Sequence, residues 1–94
     1  MQRSLIAELD HCYVCGRTGR LEIHHCFHGT ANRKLAEDDK MVVALCPCCH
    51  RGYNGVHNNA RLDLEIKQEA QRVWMIYYKQ NKQEFIKRYG RSWI

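Results

Sequence analysis

The sequence lacks a long apolar run. None of its 94 residues belongs to a stretch of about 20 consecutive apolar residues, which a membrane-spanning helix requires, so no membrane partner is expected. Internal repeats, low-complexity segments and a second hydrophobic unit are also missing, which predicts one domain over residues 1–94. The apolar part of the N-terminus stops at Glu8, unlike a secretory signal, so we expect a cytoplasmic protein.

The chain is short for a core held together by hydrophobic contacts alone. A domain of this length often needs a further constraint, and six cysteines can supply one. In a chain without an export signal, CxxC pairs near histidines favour zinc over disulfides. Cys12 and Cys15 form one pair, and Cys46 and Cys49 form another with the same spacing. We predict that these four thiolates hold one structural zinc ion in a tetrahedron.

Two cysteines lie outside this predicted zinc site. Cys26 is next to a histidine pair, and Cys48 lies inside the second CxxC. We interpret both as ordinary small residues. A zinc site that uses Cys48 instead of Cys49 is the alternative, and the CxxC spacing argues against it.

Positive charge is concentrated in the C-terminal third. The net charge is +5; residues 1–60 carry seven Lys or Arg against six Asp or Glu, and residues 61–94 carry eight against four. This excess suits an anionic partner such as nucleic acid. A solvated helical face with a mild basic bias explains the charge equally well.

Alternating and β-branched stretches predict two strands. Residues 21–26 alternate between two faces, and residues 41–45 are β-branched at the centre. The polar connection between them is expected to hold a helical turn over residues 31–37. Pro47 suits the first turn of a short helix that we expect to run through residues 50–53.

Two helices are predicted after this region. Asn58 or Asn59 can cap a helix over residues 60–79, and Asn81 can cap a second helix that Gly90 ends. The apolar stripe of the first helix has helical spacing, and it consists of Leu62, Ile66, Ala70, Val73 and Tyr77, widened by Trp74.

The two ends of the chain carry weaker signals. Ser4 is expected to cap a brief helix near the N-terminus. At the other end, Trp93 and Ile94 are expected to pack back onto the domain. We interpret the aromatic residues of the C-terminal region as core and not as platforms for stacking bases.

The histidines are more numerous than a structural zinc requires. His24 and His25 are adjacent on a predicted strand, so they point to opposite faces and should have different functions, one as metal ligand and one as base. His50 and Asn54 are four residues apart, so a helical turn would place them on one face. Histidine can take a proton from water near neutral pH, and a divalent ion can neutralise a phosphate and stabilise the leaving oxygen. We therefore predict a metal site suited to phosphodiester hydrolysis, and we interpret His11 and His28 as ordinary.

The spacing of these residues resembles a known family. Residues 22–25, residues 45–50 and Asn54 resemble the HNH (His-Me finger, ββα-metal) endonucleases, in particular their zinc-clamped branch. Further segments resemble small HNH proteins of phages and prophages, which are similar to the catalytic domain of the phage recombination-enhancement (Ref) nucleases, and these segments are residues 25–34, 55–57, 67–71 and 89–92. The resemblance covers residues 11–94.

The resemblance implies an α+β fold. A small ββα-metal motif over residues 11–57, held by the four-cysteine zinc, would be followed by two C-terminal helices over residues 59–90. It also implies a catalytic Mg²⁺ or Mn²⁺ ion.

The resemblance assigns roles to the histidines. His25 matches the general base, and His24 matches a metal-ligand position before it. His50 matches the metal-binding histidine after the second CxxC, and Asn54 matches a further ligand. His57 matches a histidine that binds either the metal or a phosphate.

The implied function is metal-dependent cleavage of DNA that leaves a 5′ phosphate. Arg33, Lys34 and Arg51 are the candidates for gripping the DNA backbone. No recognition helix is evident, so we expect low sequence specificity, or targeting by a recombinase filament or another phage or host protein. The implied source is a phage or prophage in a bacterial cell.

One departure from the family leaves two alternatives open. Many members carry an asparagine just before the second strand that helps to orient the base, and this chain has Met41 there. Asn32 is the expected substitute, and Glu22 is a second candidate. The first alternative is a catalytically inactive HNH scaffold that binds DNA or protein, for example to inhibit a host defence complex. The second is a zinc-ribbon transcription factor, which leaves the histidines unexplained.

Overall fold

The computed structural model describes residues 2–94 as an α+β fold with a two-stranded antiparallel sheet and four α-helices. The elements in chain order are β1 (Glu22–His25), α1 (Thr30–Asp39), β2 (Val42–Leu45), α2 (Pro47–Arg51), a 3₁₀ turn (Val56–Asn58), α3 (Ala60–Tyr77) and α4 (Lys82–Tyr89). Within residues 2–94, none of the helices combines the length and the apolar character that a membrane crossing needs.

The sheet is the hairpin that the alternation predicts. Glu22 pairs with Leu45, His24 with Val43 and His25 with Val42. Every residue of β2 is buried, whereas β1 alternates, with His24 only 2 % exposed. β2 is therefore covered on both faces of the sheet, whereas β1 places His24 in a buried and His25 in a partly exposed position.

The connection between the strands is more helical than predicted. Instead of a turn over residues 31–37, α1 spans Thr30–Asp39 and includes the acidic residues that end this stretch. It starts after Gly29, whose φ of 95° suits a residue without a Cβ, and it ends at Lys40 in the left-handed conformation. Ala36 is fully buried on its inner face, so tertiary packing stabilises a helix that local propensity leaves undecided.

The short helix after β2 has the predicted start but a different end. It begins at Pro47 and ends at Arg51, before the predicted end near Tyr53. Pro47 is at the start because its fixed φ and missing N–H suit the first helical turn. Gly52 follows in extended conformation, close against the carbonyl of Cys48, where a Cβ would overlap the oxygen. Asn54 consequently lies beyond the helix and not on its second turn.

No helix forms near Ser4, contrary to the prediction. The Ser4 hydroxyl donates to the carbonyl of Val42 at 2.5 Å and accepts from the amide of Ile6 at 2.9 Å. The amide of Leu5 also donates to the carbonyl of Lys40. The hydroxyl therefore fastens the N-terminal segment to the start of β2, in place of capping a helix.

The predicted caps of the two C-terminal helices are confirmed. Asn59 accepts a hydrogen bond from the amide of Leu62 at 3.1 Å, and Asn81 accepts one from Glu84 at 2.9 Å. Gly90 ends α4 with a φ of 90°. These three signals are local, which explains why the sequence alone reveals them.

The predicted apolar stripe of α3 is wrong at its end. Ile66, Ala70 and Trp74 are buried, but Tyr77 is 59 % exposed and α3 ends there. Trp74 takes the core-facing position, and the next residue on that face, four positions on, is Tyr78. Tyr77 is thereby rotated towards solvent.

Aromatic rings join the end of β1 to the C-terminus. Phe27 contacts Tyr89 with ring centres 4.4 Å apart and stacks on Trp93 at 5.2 Å. Phe85 packs edge-on against Phe27 at 5.3 Å. Trp93 thus packs back as predicted, whereas Ile94 is 40 % exposed and does not.

A buried carboxylate connects α1 to both C-terminal helices. Asp39 is 7 % exposed and accepts hydrogen bonds from Trp74 Nε1 at 2.9 Å and from the Tyr89 hydroxyl at 2.7 Å. Arg88 pairs with the same carboxylate through two nitrogens, at 2.6 and 2.8 Å. This arrangement satisfies the buried charge with one cation and several donors, and it fixes the packing of three helices.

We predict that Asp39→Asn lowers the free energy of unfolding by about 2 kcal/mol, because Arg88 loses its ion pair and one donor loses its acceptor. The measurement is urea denaturation with zinc at saturation in both proteins. Asp38→Asn is the matched control, since Asp38 is the exposed neighbour in the same helix. Equal destabilisation by the two variants would contradict this role of Asp39.

Candidate metal centres and cleft

Four cysteines converge between the N-terminal segment and the β2–α2 junction. One ligand atom from each of Cys12, Cys15, Cys46 and Cys49 lies within 4.8 Å of all the others. The sulfurs of Cys15 and Cys46 are 3.7 Å apart, and two thiolates on one tetrahedral zinc are roughly 3.8 Å apart at a Zn–S distance of about 2.3 Å. The predicted set is confirmed as a cluster that can hold a metal ion such as zinc. We call it the cysteine centre.

Backbone amides stabilise the thiolate form of two cysteines in the cysteine centre. The amide of Cys15 points at the Cys12 sulfur at 3.5 Å, and Gly16 closes this turn with a φ of 78°. Burial by itself would raise the pKa of Cys12, but the amides of Cys15, Cys46 and Val14 bring it down to about 6. The amide of Cys49 likewise lowers the pKa of Cys46. Amide donors favour the charged form that binds a metal.

The remaining two cysteines are separate from this centre. Cys48 is exposed, as expected for the residue inside the CxxC that points away from the metal. Cys26 is fully buried, and this burial raises its pKa, so it remains a neutral thiol in the core. The assignment of Cys49 over Cys48 agrees with this geometry.

Three histidines converge at a second point, separate from the cysteine centre. His24 comes from β1, His50 from α2 and His57 from the 3₁₀ turn, and their ligand atoms lie within 4.8 Å of one another. The Nε2 atoms of His50 and His57 are 2.9 Å apart. We call this set the histidine centre.

The histidine centre fits a metal ion. His24 is almost fully buried, and its Nε2 has no hydrogen-bond partner within the described residues. An unpaired buried nitrogen is costly unless something satisfies it, and a cation would do so. Burial, followed by repulsion from neighbouring histidines, lowers the pKa of His24 to about 3, and the same causes lower the pKa of His57. Both rings are therefore neutral at pH 7 and offer lone pairs.

Glu22 orients one ring of the histidine centre. Its Oε1 lies 2.8 Å from Nδ1 of His50, which leaves Nε2 of that ring for the centre. Arg51 donates to the same carboxylate at 2.9 and 2.5 Å. The bonds from Arg51 and then His50 lower the pKa of Glu22 to about 2, so the carboxylate stays charged. A carboxylate behind a histidine is the usual support of a metal-binding imidazole.

Glu22 thus has a defined contact, and it supports His50 and not His25. The predicted DNA contact of Arg51 remains a prediction, since its side chain is held by Glu22 but is still 59 % exposed.

His25 borders the same cleft as the histidine centre although it is on the other face of β1. Its side chain is 16 % exposed, and its Nε2 lies 3.6 Å from Oε1 of Glu37. The cleft has a volume of about 520 Å³ and is lined by Ile23, His24, His25, Phe27, His28, Gly29, Thr30, Arg33, His50 and His57. A predicted base, three candidate ligands and one predicted phosphate contact therefore share one cleft.

Other residues from the prediction lie elsewhere. Asn54 is exposed in the turn after α2 and is not among the cleft residues, and the helical turn that was predicted to align it with His50 ends earlier, at Arg51. Its role as a metal ligand stays a prediction. Lys34 lies at a shallower depression beside His25. Met41 is fully buried in the core, and Asn32 donates to the carbonyl of Tyr89 at 3.1 Å. Asn32 therefore links α1 to α4 and does not orient the base.

Sequence reasoning missed two residues beside the histidine centre. His28, which we interpreted as ordinary, lies 2.8 Å from Oδ1 of Asp63 in α3. Together with His24 they form a further group of potential metal ligands within 4.8 Å of one another. Nothing in the spacing relates Asp63 to residues 35 positions earlier, so only the fold reveals this contact.

Comparisons of the chain with protein-family models, with curated proteins and with solved structures find no match.

We predict that Cys46→Ser removes bound zinc from the cysteine centre and unfolds the domain, because the β2–α2 junction loses its connection through the metal to Cys12 and Cys15. Zinc content by elemental analysis and circular dichroism are the measurements. Cys48→Ser is the matched control within the same CxxC and should keep both zinc and fold. Retention of zinc by the Cys46 variant, or its loss from the Cys48 variant, would show that the ligands were assigned wrongly.

Proposed function

We propose that this protein is a metal-dependent DNA endonuclease of the HNH class. The observation that carries the proposal is the shared cleft: His24, His50 and His57 converge on one point, and His25 borders the same space. A single ion and a nearby base are the minimal equipment for hydrolysing a phosphodiester through an activated water.

The order of elements supports this class. β1 carries His24 and His25, and β2 is antiparallel to it. α2 follows β2 directly and carries His50. Apart from α1, which lies between the two strands, this order matches the strand–strand–helix order of a ββα-metal motif. In this proposal zinc occupies the cysteine centre, and a second divalent ion occupies the histidine centre.

His25 acts as the general base. Its Nε2 faces Glu37, which leaves Nδ1 to accept the proton of the attacking water. The ion at the histidine centre would neutralise charge on the scissile phosphate and stabilise the departing 3′ oxygen. Of Mg²⁺ and Mn²⁺, the imidazole donors favour Mn²⁺, because Mg²⁺ selects oxygen ligands. Glu22 keeps His50 in the tautomer that presents Nε2.

Arg33 and Lys34 are suited to hold the DNA backbone. Both are exposed on α1, Arg33 at the cleft and Lys34 beside it. Contacts to phosphate position DNA without reading its sequence, so cleavage would have low specificity. Targeting by a recombinase filament, or by another phage or host protein, and an origin in a phage or prophage remain parts of this proposal.

A binding function without cleavage is the second candidate. It is favoured by one observation: Met41 is part of the core and Asn32 is engaged with Tyr89, so neither orients His25. In that case the same cleft would bind DNA or a partner protein, and no phosphodiester bond would be cleaved.

We predict that the protein nicks supercoiled plasmid with Mn²⁺, and more weakly with Mg²⁺, and that EDTA stops the reaction. His25→Ala should slow nicking by about 10²- to 10⁴-fold, because the water loses its general base. His11→Ala is the control, since His11 is exposed and paired with Asp10 away from the cleft. Folded, zinc-loaded protein that never nicks would refute the nuclease and favour the binding function.

A further inference from the structure

His24 lies between two groups of potential ligands. Its Nε2 is buried without a hydrogen-bond partner among the described residues, and its ring belongs both to the histidine centre and to the group with His28 and Asp63. A neutral imidazole has one free lone pair and can bind one ion through it. If both groups bind a metal through His24, they therefore serve the same ion.

The spacing of the three rings around His24 fits a single ion, and His28 would have to move closer to His57, whose ring centre is 6.0 Å away, to share it. Two imidazoles on one tetrahedral ion, with metal–nitrogen distances of about 2.0–2.1 Å, have ring centres roughly 5 Å apart. The ring centre of His24 lies 5.3 Å from that of His28, 5.2 Å from that of His50 and 5.4 Å from that of His57. His28 is thus as well placed relative to His24 as the two other members of the histidine centre.

His28 is supported in the same way as His50. Asp63 lies 2.8 Å from a nitrogen of His28, as Glu22 does from a nitrogen of His50. The second oxygen of Asp63 accepts from Lys67 at 2.7 Å, so the carboxylate is itself held in place. Because the bond to Asp63 uses Nε2 of His28, Nδ1 is the atom left for the ion.

We propose that His28 is a fourth imidazole ligand of the ion at the histidine centre and that Asp63 is its positioning residue. The proposal rests on metal binding at the histidine centre, which the proposed function assumes, but not on cleavage. It assigns a function to the contact between the segment after β1 and the first turns of α3. A transition metal can accept a fifth ligand, so four imidazoles still leave a position for a phosphate oxygen.

The test measures metal binding without DNA. Protein with zinc already in the cysteine centre is titrated with Co²⁺, followed by calorimetry and by visible absorption, which is much stronger for tetrahedral than for octahedral Co²⁺. Thiolate-to-cobalt absorption in the near ultraviolet reports any exchange at the cysteine centre. The variants are His28→Ala and Asp63→Asn, with His11→Ala and Glu65→Gln as controls, since His11 is outside the cluster and Glu65 is an exposed carboxylate on α3.

We expect one Co²⁺ per chain with a tetrahedral spectrum. His28→Ala should weaken binding on the order of 100-fold and change the spectrum, and Asp63→Asn should weaken it about tenfold with the spectrum retained. Two ions per histidine cluster, or unchanged affinity and spectrum in His28→Ala, would overturn the proposal. Because no step involves DNA, a protein that binds Co²⁺ as expected but never nicks would refute the nuclease and leave this proposal standing.

Discussion

The cysteine centre is the constraint on which the two-stranded sheet and the histidine centre depend. Two strands of four residues do not form a stable sheet alone in water. The four cysteines join the N-terminal segment to the junction of β2 and α2, where Cys46 precedes the helix and Cys49 lies within it. The amide of Tyr13 donates to the carbonyl of Ala44, which extends this connection along β2. A metal at this point would therefore hold sheet and helix together.

The same junction positions the histidine centre. His50 follows Cys49 directly, so the helix that the cysteines anchor also carries a candidate ligand. Glu22 of β1 reaches across to His50 and Arg51 of α2, which fixes the helix against the strand. The proposed structural and catalytic roles are thus divided between neighbouring residues: the cysteines fix the backbone, and the histidines face the cleft.

Local signals in the sequence predicted much of this arrangement. The CxxC pairs, the caps at Asn59 and Asn81, and the alternation of β1 depend on residues a few positions apart. These features required no knowledge of how distant elements pack.

Contacts between distant elements could not be predicted in this way. Asp39 looked like part of an acidic loop, but it binds Trp74, Arg88 and Tyr89 from two later helices. Nothing in the sequence singles out Asp63, yet it contacts His28. Each of these carboxylates contacts its partners only when the helices have packed. No periodicity in the sequence relates either carboxylate to its partners.

The central claim is that one ion and His25 act on the same phosphate. The most direct measurement is a crystal structure of His25→Ala with Mn²⁺ and a short DNA duplex, using anomalous scattering to distinguish manganese from zinc. Our account predicts zinc at the cysteine centre, manganese at the histidine centre, and a backbone phosphate between that manganese and position 25. Manganese absent from the histidines, or DNA bound with no phosphate near them, would contradict it.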